Sequence, residues 1–157
     1  MNQPIIDISI QHSEWTRAIR DIQNIVISVI GLTLEKADVE AQGKELSLVL
    51  ADNDFVQALN KEWRGKDKPT NVLSFPQDEP MLLGDIILAY ETVRDEAKEQ
   101  DKRFEDHATH LIVHGLLHLL GHDHIEEADA QIMESLEIEI LRTLNIKNPY
   151  DHESFVA

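Results

Sequence analysis

The chain has 157 residues, with 30 acidic against 14 basic side chains, a formal net charge of −16 and no cysteine. These counts exclude disulfides, thiolate metal sites and a cysteine nucleophile, and they argue against a protein that coats nucleic acid over its whole surface, which needs clustered Lys and Arg. The length suits one domain, since a chain of this size buries roughly 68–70% of its unfolded surface, enough for a core without crosslinks.

The N-terminus carries no basic region followed by an apolar run, so it does not read as a signal peptide. No segment reaches the roughly 18 uninterrupted apolar residues of a membrane span. A cytoplasmic protein without membrane contact is expected. Ile6, Ile8 and Ile10 alternate with Asp7 and Ser9, the period of a half-buried strand. Ser13 then precedes apolar residues spaced in threes and fours from Trp15 to Ile30, predicting one helix that stops at Gly31. Val39 to Ala41 and Leu46 to Leu50 read as two strands around Gly43, and Asn53 or Asp54 caps a short helix carrying Phe55, Leu59 and Trp63.

Pro69 and Pro76 bracket an extended segment from Thr70 to Phe75, and Gly84 to Ala89 follows as a strand. Three helices close the chain: a polar one from Glu91 to Asp101, an apolar one from Phe104 to Leu120, and an amphipathic one from Glu126 to Leu144. Strands and helices are mixed without strict alternation. The reading is a single α+β domain over residues 1–150, with a mixed sheet of about four strands packed by about five helices, and a tail at 151–157.

Five of the eight histidines fall between His110 and His124, in the run HLIVHGLLHLLGHDH. At 100° per residue, His107, His110, His114 and His118 project within an arc of about 80° on a helix whose other side is leucine and isoleucine. His114 and His118 stand one turn apart, about 6 Å along the axis, so both imidazoles can converge on one ion. Gly121 can adopt the left-handed conformation that ends a helix, which lets His124 swing back toward the same point. Three neutral imidazoles suit zinc best, nickel and copper also accept them, and a tetrahedral ion so held keeps an open position. A metal site at the end of a buried helix is therefore expected, with His114, His118 and His124 as ligands. Alone, His107 or His110 would read as a hydrogen-bonded core residue.

The same histidine spacing occurs in metzincin proteases, where Glu directly follows the first His as general base. Here that position is Gly115, which counts against peptide hydrolysis. Lys61, Arg64, Lys66 and Lys68 stand against Glu62 and Asp67, the one stretch of net positive charge. Arg64 can grip a phosphate bidentately and stabilise the charge that builds as it is attacked. Thr70, Asn71 and Ser74 either bond phosphate or sugar, or shape the turn before a strand. Asp85 reads as a turn residue or a partner of a metal ligand, and His122 as a general acid or a solvated side chain.

The run HGLLHLLGHDH, with RGKDKPTNVLSFP and LLGDIIL upstream and the closing NPY, resembles the bacterial YbeY family of rRNA maturation endoribonucleases. The resemblance covers roughly the second two-thirds of the chain. It implies a compact α+β cytoplasmic metalloprotein that cleaves single-stranded RNA in 16S rRNA 3′-end processing and ribosome quality control. It further implies zinc on His114, His118 and His124, Arg64 as the basic residue of the cleft, the 16S precursor and the ribosome or its proteins as partners, and no action on DNA. His122 departs from the pattern, since many members carry tyrosine there.

Catalytic residues are thus expected at Arg64, His114 and His122. Two other readings compete: an rRNA-binding assembly factor with a structural zinc and no turnover, and a metallopeptidase or other metallohydrolase. The first predicts RNA binding without cleavage, the second digestion of peptides.

Overall fold

The computed structural model describes residues 3–122 and 125–150. Its elements are β1 (Ile5–Ile10), α1 (Glu14–Ala18), α2 (Ile22–Lys36), β2 (Glu45–Ala51), α3 (Asn53–Arg64), β3 (Val72–Pro76), β4 (Leu82–Ala89), α4 (Tyr90–Glu99), α5 (Phe104–Leu119) and α6 (Glu127–Thr143). The four strands form one mixed sheet in the order β1-β2-β4-β3. β1, β2 and β4 run parallel, and β3 pairs antiparallel with β4 at the edge, placing Ser74 opposite Ile86 and Phe75 opposite Asp85.

Successive side chains of a strand point to opposite faces, and this chain uses both. Leu46, Leu48 and Leu50 of β2, with Ile86 and Leu88 of β4, face a large core closed by Val26, Ile30 and Leu34 of α2, Ile112 and Leu116 of α5 and Ile140 of α6. Ala51, Leu73, Ile87 and Ala89 point the other way, onto Val56 of α3. The α+β fold with a four-stranded mixed sheet agrees with the sequence reading. Residues 151–157, read as a tail, lie outside the described residues, and no helix among those described is long and apolar enough to cross a membrane.

Four local expectations are corrected. The first helix is two helices, which makes six in all among the described residues. Ile19 is extended and Asp21 left-handed at φ 57°, so the chain turns between α1 and α2 while Trp15 and Ile22 both remain in the core. Gly31 does not end α2, because Thr33 and Leu34 continue its buried face to Lys36. Val39 to Ala41 form no strand: β1 and β4 occupy both edges of β2 and leave no ladder for them. The cap of α3 is Asp52, whose carboxylate accepts from the Phe55 N–H at 2.9 Å, while Asn53 accepts from Thr92 of α4 instead.

Candidate metal centre

α5 carries the histidines because its apolar majority seals it under the sheet while one stripe stays polar. Along that stripe the rings of His107, His110, His114 and His118 follow one another edge to face, with centroids 6.3, 6.2 and 4.6 Å apart. The last step is the shortest, and there His114 Nε2 and His118 Nε2 lie 3.1 Å apart. Two nitrogens on a tetrahedral zinc at about 2.0–2.1 Å stand about 3.3 Å from one another, so the pair already has the spacing of two ligands.

The helix ends as its glycine predicts. Gly121 is left-handed at φ 98°, its N–H bonds the His118 carbonyl, and the His122 N–H reaches back to the Leu117 carbonyl. This pair of bonds is the Schellman arrangement that reverses a chain at a helix end. It places the backbone of His122 just beyond the His114–His118 pair. His124, expected as the third ligand, and Asp123 lie outside the described residues.

A carboxylate that sequence reasoning missed organises the centre. Glu137 of α6 is fully buried, and its Oε1 accepts from His114 Nδ1 at 2.5 Å. Its Oε2 accepts from the Tyr150 hydroxyl and lies 3.5 Å from His110 Nε2, an electrostatic contact rather than a directed bond. Burial opposes the charge on Glu137, but the imidazoles of His110 and His114 and the Tyr150 phenol outweigh it and hold the pKa down to about 2. Burial also pushes the His110 pKa down, against the pull of Glu137, favouring neutral imidazole. For Tyr150, burial and the adjacent carboxylate raise the pKa, keeping the phenol a donor.

Among the described residues, one group of three side chains is placed to hold an ion, beside the His114–His118 pair. His110, His114 and Glu137 bring ligand-type atoms within 4.8 Å of one another. However, the 2.5 Å contact between Glu137 and His114 Nδ1 is a hydrogen bond, shorter than two ligands of one ion usually stand. It fixes the proton on Nδ1 and leaves the Nε2 lone pair directed at His118, the carboxylate–histidine arrangement that orients metal ligands. Glu137 could have been found in the sequence: Met133, Glu137, Ile140 and Leu141 share one helix face, and all four are buried.

The upstream block packs against this centre. Arg64 is exposed, donates to the Ser74 carbonyl at 2.8 Å and lies over the Phe75 ring. Ser74 in turn donates to the Gly115 carbonyl at 3.2 Å, tying the edge strand to the residue after His114. A Cβ on Gly115 would meet Ser74 Oγ at 3.0 Å and Ile86 Cγ2 at 3.1 Å. The close approach of helix and sheet therefore crowds this position against the glutamate a metzincin carries there. Asn71 donates to Glu96 and accepts from the Val72 N–H, and Asp85 accepts from Gln77. Asn71 thereby ties the start of β3 to α4, and Asp85, inside β4, ties down the residue that follows β3.

Fold and site together define a small α+β protein with a histidine-lined candidate metal centre on a buried helix. The family model described as "Endoribonuclease YbeY" matches residues 7–145, which extends the likeness into the first fifty residues. A protein of that name from Methylocella silvestris is 45% identical over 153 residues, covering 94% of this chain and 86% of the relative. One from Paramagnetospirillum magneticum is 45% identical over 158 residues, covering 94% and 96%. A Thermotoga maritima protein solved in solution shares the fold with a TM-score of 0.58 at 22% identity, over 90% of this chain and 92% of that one. The chain belongs to the YbeY endoribonuclease family. Neither the turnover-free assembly factor nor the metallopeptidase is favoured by these relatives.

Proposed function

We propose that this chain is a zinc-dependent, cytoplasmic endoribonuclease that cuts single-stranded RNA in the maturation of the 16S rRNA 3′ end, working with the ribosome or its proteins. His114, His118 and His124 hold the ion, and residues 1–150 form the working unit. The observation that carries this reading is the 3.1 Å approach of His114 Nε2 and His118 Nε2 with Glu137 on the far nitrogen of His114.

Bound there, zinc supplies a positive charge that polarises a phosphoryl oxygen and lowers the pKa of water. The chain's own residues do the rest. Glu137 holds His114 in the tautomer that presents Nε2. Arg64, steadied by the Ser74 carbonyl and the Phe75 ring, spends one of its five N–H donors on the protein and meets the phosphate with the fork geometry of guanidinium. Two bonds, Arg64 to Ser74 and Ser74 to Gly115, hold that charge in register with the metal centre. His122, carried round by the Gly121 turn, protonates the leaving oxygen.

The test is cleavage of a single-stranded 16S precursor fragment by purified protein supplied with zinc. Wild type should cut it and leave duplex RNA intact. Arg64→Ala and Arg64→Lys should both lose activity by about tenfold or more, because an ammonium lacks the planar fork. Intact RNA after incubation with wild type would reject the reading.

A further inference from the structure

The last turn of α3 presents a large aromatic side chain to solvent. Trp63 follows Val56 by seven residues and Asn60 by three, so it continues the buried face of the helix. Val56 and Asn60 are buried, yet Trp63 is 65% exposed. The contrast with Trp15 is sharp: that indole is fully buried and its Nε1–H donates to the Ala51 carbonyl at 2.9 Å. The chain has only these two tryptophans.

The surroundings of Trp63 are chemically specific. Lys61, Arg64, Lys66 and Lys68 flank it, all exposed, in a chain whose net charge is −16. Gly65, left-handed at φ 71°, ends the helix here, and the Lys66 N–H bonds back to the Asn60 carbonyl, so Lys66 and Lys68 follow the turn directly after Trp63; Lys61 pairs with Asp67 at 3.9 Å, and Glu62 and Asp67 are the only acids from Lys61 to Lys68. Through Arg64, Ser74 and Gly115 this turn connects to the residue after His114. Positive charge beside an exposed aromatic ring is the pairing that binds single strands, the cations meeting phosphates and the ring stacking on a base.

We propose that Trp63 is a stacking platform for a nucleobase of the single-stranded RNA substrate, holding the strand on the α3 side of the metal centre. The inference rests on the endoribonuclease reading and adds a binding residue to it. It also supplies a reason for single-strand preference, because a base paired in a duplex does not offer its face to the ring.

The experiment uses tryptophan fluorescence of the full-length, zinc-loaded protein mixed in stopped flow with unstructured oligoadenylate, read before the first turnover. Trp15 provides a constant buried background. Oligoadenylate should quench the Trp63 emission, inorganic polyphosphate should not, and Trp63→Phe should abolish the quench while still binding. Trp63→Ala should weaken oligoadenylate binding, followed by anisotropy of a labelled strand, roughly five- to fifty-fold. Its affinity for polyphosphate should stay unchanged, and circular dichroism should confirm a native fold. Equal oligoadenylate affinity of Trp63→Ala and wild type, or an equal quench by polyphosphate, would overturn the proposal while leaving the endoribonuclease reading intact. Failure of wild type both to bind and to cut single-stranded RNA would overturn the two together.

Discussion

His114 Nδ1 and Glu137 Oε1 lie 2.5 Å apart across 23 residues of sequence, and this bond decides which nitrogen of His114 turns toward His118. The carboxylate is fully buried, so its orientation is fixed by packing. Replacing it with an amide, Glu137→Gln, keeps the volume but removes the charge that selects the tautomer. Zinc affinity should fall about 10- to 100-fold. Competition with a chromophoric chelator measures this, and an unchanged affinity would show that Glu137 does not orient the ligand.

Tyr150 closes the same network from the C-terminal side, donating to Glu137 Oε2. Tyr150→Phe removes one charge-assisted bond and leaves a buried oxygen without that donor. The loss should be about 1.5–3 kcal/mol in urea-induced unfolding. It should also lower zinc affinity, though by less than Glu137→Gln, because the His114 bond survives.

Two glycines predict opposite outcomes. Gly84 has φ 136°, and a Cβ there would stand 2.5 Å from the Phe75 carbonyl and 2.9 Å from Leu119 Cδ2. Gly84→Ala therefore combines backbone strain with a clash at the β3–β4 pairing that carries Ser74, and it should cost about 2 kcal/mol or more. Gly31 lies inside α2, where an added methyl would meet nothing within 4 Å. Gly31→Ala should stabilise by about 0.4–1 kcal/mol by restricting the unfolded chain. Thermal unfolding of the two variants distinguishes them by sign.

The histidine stripe of α5 and the turn that ends it were legible in the sequence because their signal is local: His114 and His118 differ by one turn, and Gly121 announces the reversal. The same locality explains what was missed. Glu137 reaches the centre only through tertiary packing of α6, and Tyr150 only through the chain that follows that helix; a lone glutamate among the many acids of α6 draws no notice unless its buried face is traced. The break between α1 and α2 was hidden for a related reason. Helical periodicity runs straight through Ile19 to Ile22, and only the left-handed Asp21 turns the chain. Gly31, conversely, looked like a stop because its propensity is poor, but the buried Thr33 and Leu34 outweigh it.

Glu96 gives the fold a dependence on acid. Burial opposes its charge, but hydrogen bonds from His107 and Asn71 outweigh this and hold its pKa below the ordinary 4.5. His107 Nε2 donates to it at 2.8 Å and Asn71 at 3.0 Å, joining α5, α4 and the start of β3. A carboxylate depressed on folding contributes its stability fully above the unfolded pKa and loses it as pH falls through the folded one. Wild type should therefore exceed Glu96→Gln in stability near neutral pH, with the gap shrinking below pH 4.5. A gap that stays constant across that range would remove Glu96 from the account.

The claim on which the rest depends is that one ion held at His114 and His118 is required for RNA cleavage. Stepwise chelation of the purified protein, with bound zinc per chain and single-turnover cleavage of single-stranded RNA measured at each step, tests it directly. The rate should fall in proportion to bound zinc, reach background in the apoprotein and return on reloading, and His118→Ala should lose zinc and activity together. Apoprotein that cuts at the full rate would contradict the account.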